Sequence, residues 1–301
     1  MTKLNKTKNV TYIVILVTII WGTTFPLLKV MLVSIDSFLL VLIRIIIASI
    51  AFSIFILIAK LKIKFNKKTL LHGIILGGLL ATTFASQSYG LMFTTGGHSA
   101  LIIGAAVVLV PGLQFFIFRE HVIAKTWFAA IIVFIGLFLL TFDFKTGINL
   151  GDYISLISLV SYAFHILLAG KYVNSQNQFV LIMTQFWSAT IFSLIFYLLW
   201  GEQLLVLNTI VISGIIYLSF FATLLAYFVL VWARKTIPAD KLALLFTLEP
   251  VFALFFGYIF IGETINYLEF LAVLIILTGM VYSLTNRKFF LKIFPVYKNI
   301  R

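Results

Sequence analysis

Two charged residues stand where charge is expensive. Glu249 and Pro250 lie in the middle of the apolar stretch LLFTLEPVFALFFGYIFIGETI (244–265), and Arg44 lies inside LVLIRIIIAS (40–49). Glu249 is about 10 residues into its run; at roughly 1.5 Å per residue that is about half of a roughly 30 Å hydrocarbon layer. A carboxylate at that depth costs on the order of 3 kcal/mol, so it needs a reason. It could trade a proton for a cation or hold a ligand amine. Arg44 could grip a ligand carboxylate with two parallel hydrogen bonds. Together they would suit a zwitterion. They could equally pair with each other as a structural ion pair, and Arg44 could reach outward to water. Lys29, nearer the end of the first apolar run, has the same two options. Pro250 has no N–H and leaves the Phe246 carbonyl free to bind a ligand or to mark a hinge; Pro26 and Pro111 are further hinge candidates.

Other polar and aromatic residues recur at interior depth: Gln87 and Tyr89, Tyr162 and His165, Gln185 and Trp187. Side chains of this kind inside a membrane need partners, from another helix or from a ligand. Tyr227 and Trp232 read as anchors at a membrane interface. The four histidines have no metal-ligand spacing such as HExxH, and cysteine is absent. No metal site, cofactor or catalytic cluster is expected.

The elements that carry these residues must be membrane helices. The chain has 301 residues, 62% of them hydrophobic and 10% charged, with a mean hydropathy of +1.17. Soluble domains carry about 25% charged residues. Unbroken runs of spanning length exclude a strand-built barrel. Ten runs are expected to span, near residues 10–33, 37–59, 69–93, 98–118, 125–142, 153–173, 179–200, 208–232, 239–261 and 267–285. The links between them are short, and no soluble module has room to fit. The basic start and first run have the order of a signal peptide but show no small-residue cleavage site, so a retained span is expected. The net charge of +13 would suggest nucleic acid in a soluble chain. Here 19 of the 22 Lys and Arg residues fall in alternate links and the two ends, and the intervening links hold only Lys145. That asymmetry points to lipid rather than nucleic acid as the partner, with both termini in the cytoplasm.

The two halves echo each other at an offset of about 142 residues. Lys29 falls opposite Lys171, Arg44 opposite Gln185, and Glu120 and Gly136 opposite Glu263 and Gly279. Five spans in each half, an odd number, force the second half to enter the membrane upside down. The link TTGGHS (94–99) has no Lys or Arg, whereas its counterpart holds Arg234, Lys235 and Lys241. The expected fold is therefore an all-α polytopic membrane protein of ten transmembrane helices, arranged as inverted five-helix repeats over 1–143 and 144–301. Such pairs commonly bind a ligand near the midplane between the halves. The offset puts Val108 opposite Glu249, so the carboxylate belongs to one half alone.

The runs IIWGTTFPLLKV (19–30), LVLIRIIIAS (40–49), VVLVPGLQFFIFRE (107–120), LLFTLEPVFALFFGYIFIGE (244–263) and LAVLIILTG (271–279) resemble the drug/metabolite transporter superfamily, specifically its EamA-type exporters. The resemblance spans nearly the whole chain. It implies a secondary transporter in a bacterial plasma membrane that exports small metabolites, such as amino acids or their derivatives, by alternating access. Protons are a plausible coupling ion. A carrier for lipophilic cations is the competing expectation within transport. A lipid-modifying enzyme would want paired acids or an HxxxxD cluster, a channel would want rings of polar residues, and a receptor would need neither a buried carboxylate nor a repeat.

Overall fold

The computed structural model describes residues 3–61, 63–141, 148–261 and 266–284. Apart from one isolated bridge between Ile35 and Leu205, the described residues with regular structure are helical. In chain order the helices are α1 (Lys3–Gly22), α2 (Thr24–Met31), α3 (Ser37–Ile58), α4 (Lys67–Gly90), α5 (Gly96–Gly104), α6 (Ala106–Phe116) and α7 (Ala124–Thr141). They continue with α8 (Leu150–Val173), α9 (Gln178–Trp200) and α10 (Thr209–Tyr217). A π-helical segment (Leu218–Leu225) leads into α11 (Ala226–Ala233), followed by α12 (Ala239–Phe246), α13 (Leu248–Ile261) and α14 (Tyr267–Leu284). Several of these pieces join end to end. Counted that way, eight helices among the described residues are long and apolar enough to cross a membrane, and Ala124–Leu140 and Tyr267–Ser283 are shorter apolar helices. The sequence expectation of ten spans treats those two as equals of the rest; by length they are not.

Polar residues start the helices. Asp36 accepts a hydrogen bond from the Leu39 amide at 2.8 Å, Asn66 from Thr69 at 2.7 Å and Asn208 from Val211 at 2.9 Å. Asn149 and Asp152 exchange bonds as a capping box at the head of α8. Each cap satisfies amides that the first helical turn cannot pair, which matters most where no water can do so. Outward faces carry Leu57, Phe128 and Leu198, apolar and largely exposed, a surface suited to lipid.

Three helices are interrupted in mid-course. The α1–α2 break falls at Thr23, the α5–α6 break at Ala105 and the α12–α13 break at Thr247. The last two lie 142 residues apart, at the offset between the halves. Two breaks share a local cause. Thr23 and Thr247 each stand three residues before a proline, Pro26 and Pro250, which occupies the first turn of the helix that follows. The threonine hydroxyls donate back to the Ile20 and Leu244 carbonyls at 2.7 and 2.6 Å, partnering oxygens near the interruption.

Helices one offset apart also meet. Ser49 of α3 shares a hydrogen bond of 2.9 Å with Thr190 of α9, and Phe52 stacks edge-on against Phe186 at 5.8 Å. In α7 and α14, Gly136 lies against Ala272 and Ile276, while Gly279 lies against Ala129 and Val133. Both pairs therefore run antiparallel. Glycine permits the closest approach elsewhere too. A methyl group on Gly77 of α4 would fall on the Ser188 hydroxyl of α9, 2.5 Å from the Gln185 carbonyl and 2.8 Å from the Ala189 amide. Backbone cannot yield as a side-chain tip can. Gly77→Ala is expected to lower stability by about 1–3 kcal/mol through overpacking. Thermal unfolding in detergent checks this, and an unchanged midpoint would contradict the seam.

Candidate functional site

Glu249 sits in the first turn of α13, just past the Thr247 break. Its position at a helix N-terminus favours negative charge. Pro250 follows in the same turn, where a missing N–H costs little. Gly22 of α1 fixes the depth of this turn, because a Cβ there would stand 2.6 Å from the Phe252 Cβ and 3.1 Å from the Glu249 carbonyl. Glu249 is buried, with 9% of its surface exposed. Among the described residues, no hydrogen bond or ion pair reaches its carboxylate. What remains exposed faces a cavity.

That cavity is small, with about 30 Å³ of room between side chains of α1 to α4, α5, α8, α11 and α13. Arg44, Gln87, Tyr162 and Tyr227 line it together with Glu249. Arg44 is 2% exposed and held on two sides. Its Nε donates to the Thr223 hydroxyl at 2.9 Å, and its guanidinium carbon lies 3.8 Å from the centre of the Phe84 ring. The two terminal nitrogens of Arg44 have no hydrogen-bond partner among the described residues. Arg44 and Glu249 form no ion pair with each other. The sequence-level alternative in which the two charges cancel is thus not what the structure contains.

The π segment supplies the anchors. Its wider turn displaces backbone groups from the regular ladder. The Ala222 carbonyl there accepts the Trp21 indole N–H at 2.9 Å, and the next residue, Thr223, holds Arg44. Trp21 in turn packs against Tyr162, Tyr227 and Phe246, with ring centres 6.1, 5.7 and 4.9 Å away. The Tyr162 hydroxyl is buried without a partner. Tyr227, read from sequence as an interface anchor, is 2% exposed and belongs to the cavity wall. A second, tighter gap with about 10 Å³ of room, enough for about one water, adjoins the first and shares Ile103, Tyr162 and Glu249; small and apolar residues make up most of its wall.

The other sequence candidates lie elsewhere. Lys29 is exposed, and its ammonium donates to the Leu91 and Thr94 carbonyls at 3.0 Å each, closing the C-terminal end of α4. That is a cation at a helix terminus. His165 and Gln185 are fully buried and bond each other at 3.2 Å, joining α8 to α9 away from both chambers. Trp187 is 40% exposed on α9 and donates to Ser53 at 3.0 Å. Tyr89 packs against Phe38 and Phe93. Pro26 and Pro250 each follow a break, but Pro111 lies inside α6, six residues beyond the break at Ala105. Glu263 falls outside the described residues. Among the described residues, no three His, Cys, Asp or Glu side chains gather as a metal site.

Two polar clusters lie toward opposite ends of the bundle. In one, Asp152 accepts from Thr94 and the Asn149 amide and meets His98 at 3.3 Å, tying the head of α8 to the link before α5. The other is a wider cleft of about 360 Å³ that includes Lys171, Arg234, Lys235 and Glu120. Burial pushes the Arg234 guanidinium down to about 10, against the opposing pull of Asp240 and Glu120. Arg234 donates to the Ile166 carbonyl at 2.9 Å.

The chain matches the family model described as "EamA-like transporter family" twice, over residues 10–142 and 149–285. Among curated proteins, it is 26% identical to an "Uncharacterized transporter" of Archaeoglobus fulgidus, over 88% of this chain and 82% of that one. It is 22% identical to the "Uncharacterized transporter YdfC" of Bacillus subtilis, over 88% and 87%. It is 25% identical to a "Probable amino-acid metabolite efflux pump" of Salmonella typhimurium, over 89% and 92%. A crystal structure of another protein superposes with a TM-score of 0.77 at 14% identity, covering 92% of this chain and 97% of that one, a likeness of fold.

Proposed function

The chain belongs to the EamA-like transporter family, and from that premise we propose that it exports a zwitterionic small metabolite, an amino acid or close derivative. One observation carries the reading: a carboxylate with no hydrogen-bond partner and a guanidinium whose two terminal nitrogens have none line the same cavity. Glu249 receives the substrate ammonium and Arg44 its carboxylate. A carboxylate with no protein partner can hold either a proton or an ammonium, the exchange a proton-coupled exporter needs. The name of the Salmonella relative agrees with this substrate class.

In this reading the ten apolar helices, including the two shorter ones, span the membrane as inverted halves, 1–143 and 144–301. The antiparallel pairing of α3 with α9 and of α7 with α14 supports the inversion. The basic cleft at Lys171 and Arg234 faces the cytoplasm and admits substrate, and both termini lie on that side. The protein resides in the plasma membrane of a bacterium. The aromatic wall of Trp21, Tyr162 and Tyr227 beside a carboxylate supports a second reading, a carrier for lipophilic cations.

Flux in proteoliposomes separates the two. Loaded with a panel of amino acids and lipophilic cations, vesicles with an internal pH dye are expected to release amino acids and to move protons in the opposite direction. Release of cations alone would replace the first reading with the second; release of neither would end both.

A further inference from the structure

The midplane cavity has room for about two waters, so it admits an amino acid only when the bundle opens. The cleft at Lys171 and Arg234 is of another size. Its volume of about 360 Å³ falls in the range of small-molecule sites, roughly 300–1,000 Å³. Resting on the zwitterion reading above, we propose that this cleft is a second amino-acid site, which holds the substrate by both charged ends before the midplane cavity opens to it.

The end of α11 and the start of α12 supply donors. Arg234 follows the last residue of α11, and its Nε and Nη1 donate to the Ile166 and Ile237 carbonyls. Those bonds fix the guanidinium, and Gly170 makes space for it, since a Cβ there would fall on the guanidinium itself. Nη2 has no hydrogen-bond partner among the described residues. Lys171 and Lys235 are exposed in the same wall. Pro238, at the N-cap of α12, offers no side-chain acceptor to the first amides of that helix, and the nearby Asp240 carboxylate is turned to the Thr126 hydroxyl at 3.0 Å. A guanidinium, two ammoniums and an uncapped helix N-terminus together favour a carboxylate.

The link after α6 supplies acceptors. Arg119 has a φ of 54°, a left-handed turn uncommon outside glycine. The turn returns the Glu120 amide to the Gln114 carbonyl at 2.9 Å, and the Gln114 side-chain amide donates to the Glu120 carboxylate at 3.1 Å. Gln114 Oε1 is left buried without a partner. Among the described residues, Glu120 makes no ion pair with Lys171, Arg234 or Lys235, although all four line the cleft. Charges of both signs face one space without cancelling. A zwitterion completes that arrangement, with its ammonium at Glu120 and Gln114 Oε1 and its carboxylate at Arg234 and the head of α12. A lone anion or a lone cation satisfies only half of it.

The chain has no cysteine, so one introduced thiol reports on the cleft alone. Asn174→Cys, in the exposed part of the wall, would be labelled with a maleimide in detergent while L-leucine is titrated. Leucine is expected to slow the labelling. Leucinamide lacks the carboxylate and 4-methylpentanoate lacks the ammonium; each should need about tenfold more for equal protection. Added to Asn174→Cys, Lys171→Gln or Glu120→Gln should raise the half-protecting leucine concentration by about three- to tenfold, a modest factor because both side chains are open to water. Neither side chain bonds the backbone, so both variants should fold, and thermal unfolding in detergent checks that. Protection untouched by both substitutions would place its origin at the midplane and overturn the cleft site. Either half-ligand protecting as well as leucine would overturn it too. Absence of protection in a protein whose proteoliposomes release amino acids would end the cleft site and leave the export reading standing. Absence of both protection and release would end both.

Discussion

Glu249→Gln is expected to abolish substrate flux in a protein that folds as well as the parent. The two halves of this outcome have separate causes. Glutamine keeps the shape of the side chain but cannot hold a proton in exchange for an ammonium. Losing one member of a desolvated charge pair costs about 2–5 kcal/mol, so substrate affinity at the site should fall by about 30-fold or more. Stability should not fall with it. No hydrogen bond or ion pair holds the carboxylate among the described residues, so nothing is broken by the change. Removing a buried charge that no protein group compensates is neutral or favourable for the folded state. The measurements are flux in proteoliposomes beside thermal unfolding in detergent. A structural carboxylate would give the reverse pattern, with a lower midpoint and residual flux in what remains folded.

Arg44 supplies the second large effect. Arg44→Lys keeps the positive charge and loses the planar fork. Lysine cannot both bond Thr223 and lie flat on Phe84 while presenting two parallel donors to a carboxylate. The apparent KM for an amino acid is expected to rise by about 10- to 100-fold, the worth of a charge-assisted hydrogen bond or two. The same substrate esterified at its carboxylate should be indifferent to the change. That contrast separates recognition from folding, since a misfolded cavity would lose both ligands. Equal losses for acid and ester would remove Arg44 from the binding role.

How far these residues could be read beforehand followed from energetic cost. Glu249 and Arg44 stand out in any apolar run because charge in lipid is expensive, and both line the cavity. Gln87 does too, for a weaker form of the same reason. Cost alone cannot say where a partner lies. His165 and Gln185 looked equivalent to Gln87, yet they bond each other at 3.2 Å, with His165 Nδ1 and Gln185 Nε2 left unpartnered, and line neither chamber. Lys29 and Trp187 are polar ends near a surface, tied to carbonyls and to Ser53. The missed residues gave no signal of this kind. Thr223 is one hydroxyl in an apolar helix, and Tyr227 sat where an interface anchor would. Only the π segment, which rotates the helix beyond its expected phase, turns them toward Arg44 and Trp21. Repeats and helix ends were legible because they recur in pattern; that register shift was not, because no residue type announces a π turn.

The contacts between α3 and α9 and between α7 and α14 have a further bearing. Each joins positions one offset apart, Ser49 to Thr190 and the Gly136 region to that of Gly279. Contacts between a surface and its own copy are the signature of a two-fold dimer. Two separate copies of the repeat, packed antiparallel, would already have possessed both seams. Joining them in one chain then added no new interface. It replaced a chance encounter with a tethered one, at an effective concentration in the millimolar range for a short link. Once tethered, the copies no longer had to be identical. One could acquire a carboxylate at position 249 while the other kept a valine, and an asymmetric ligand could then find an asymmetric site at the heart of a symmetric frame.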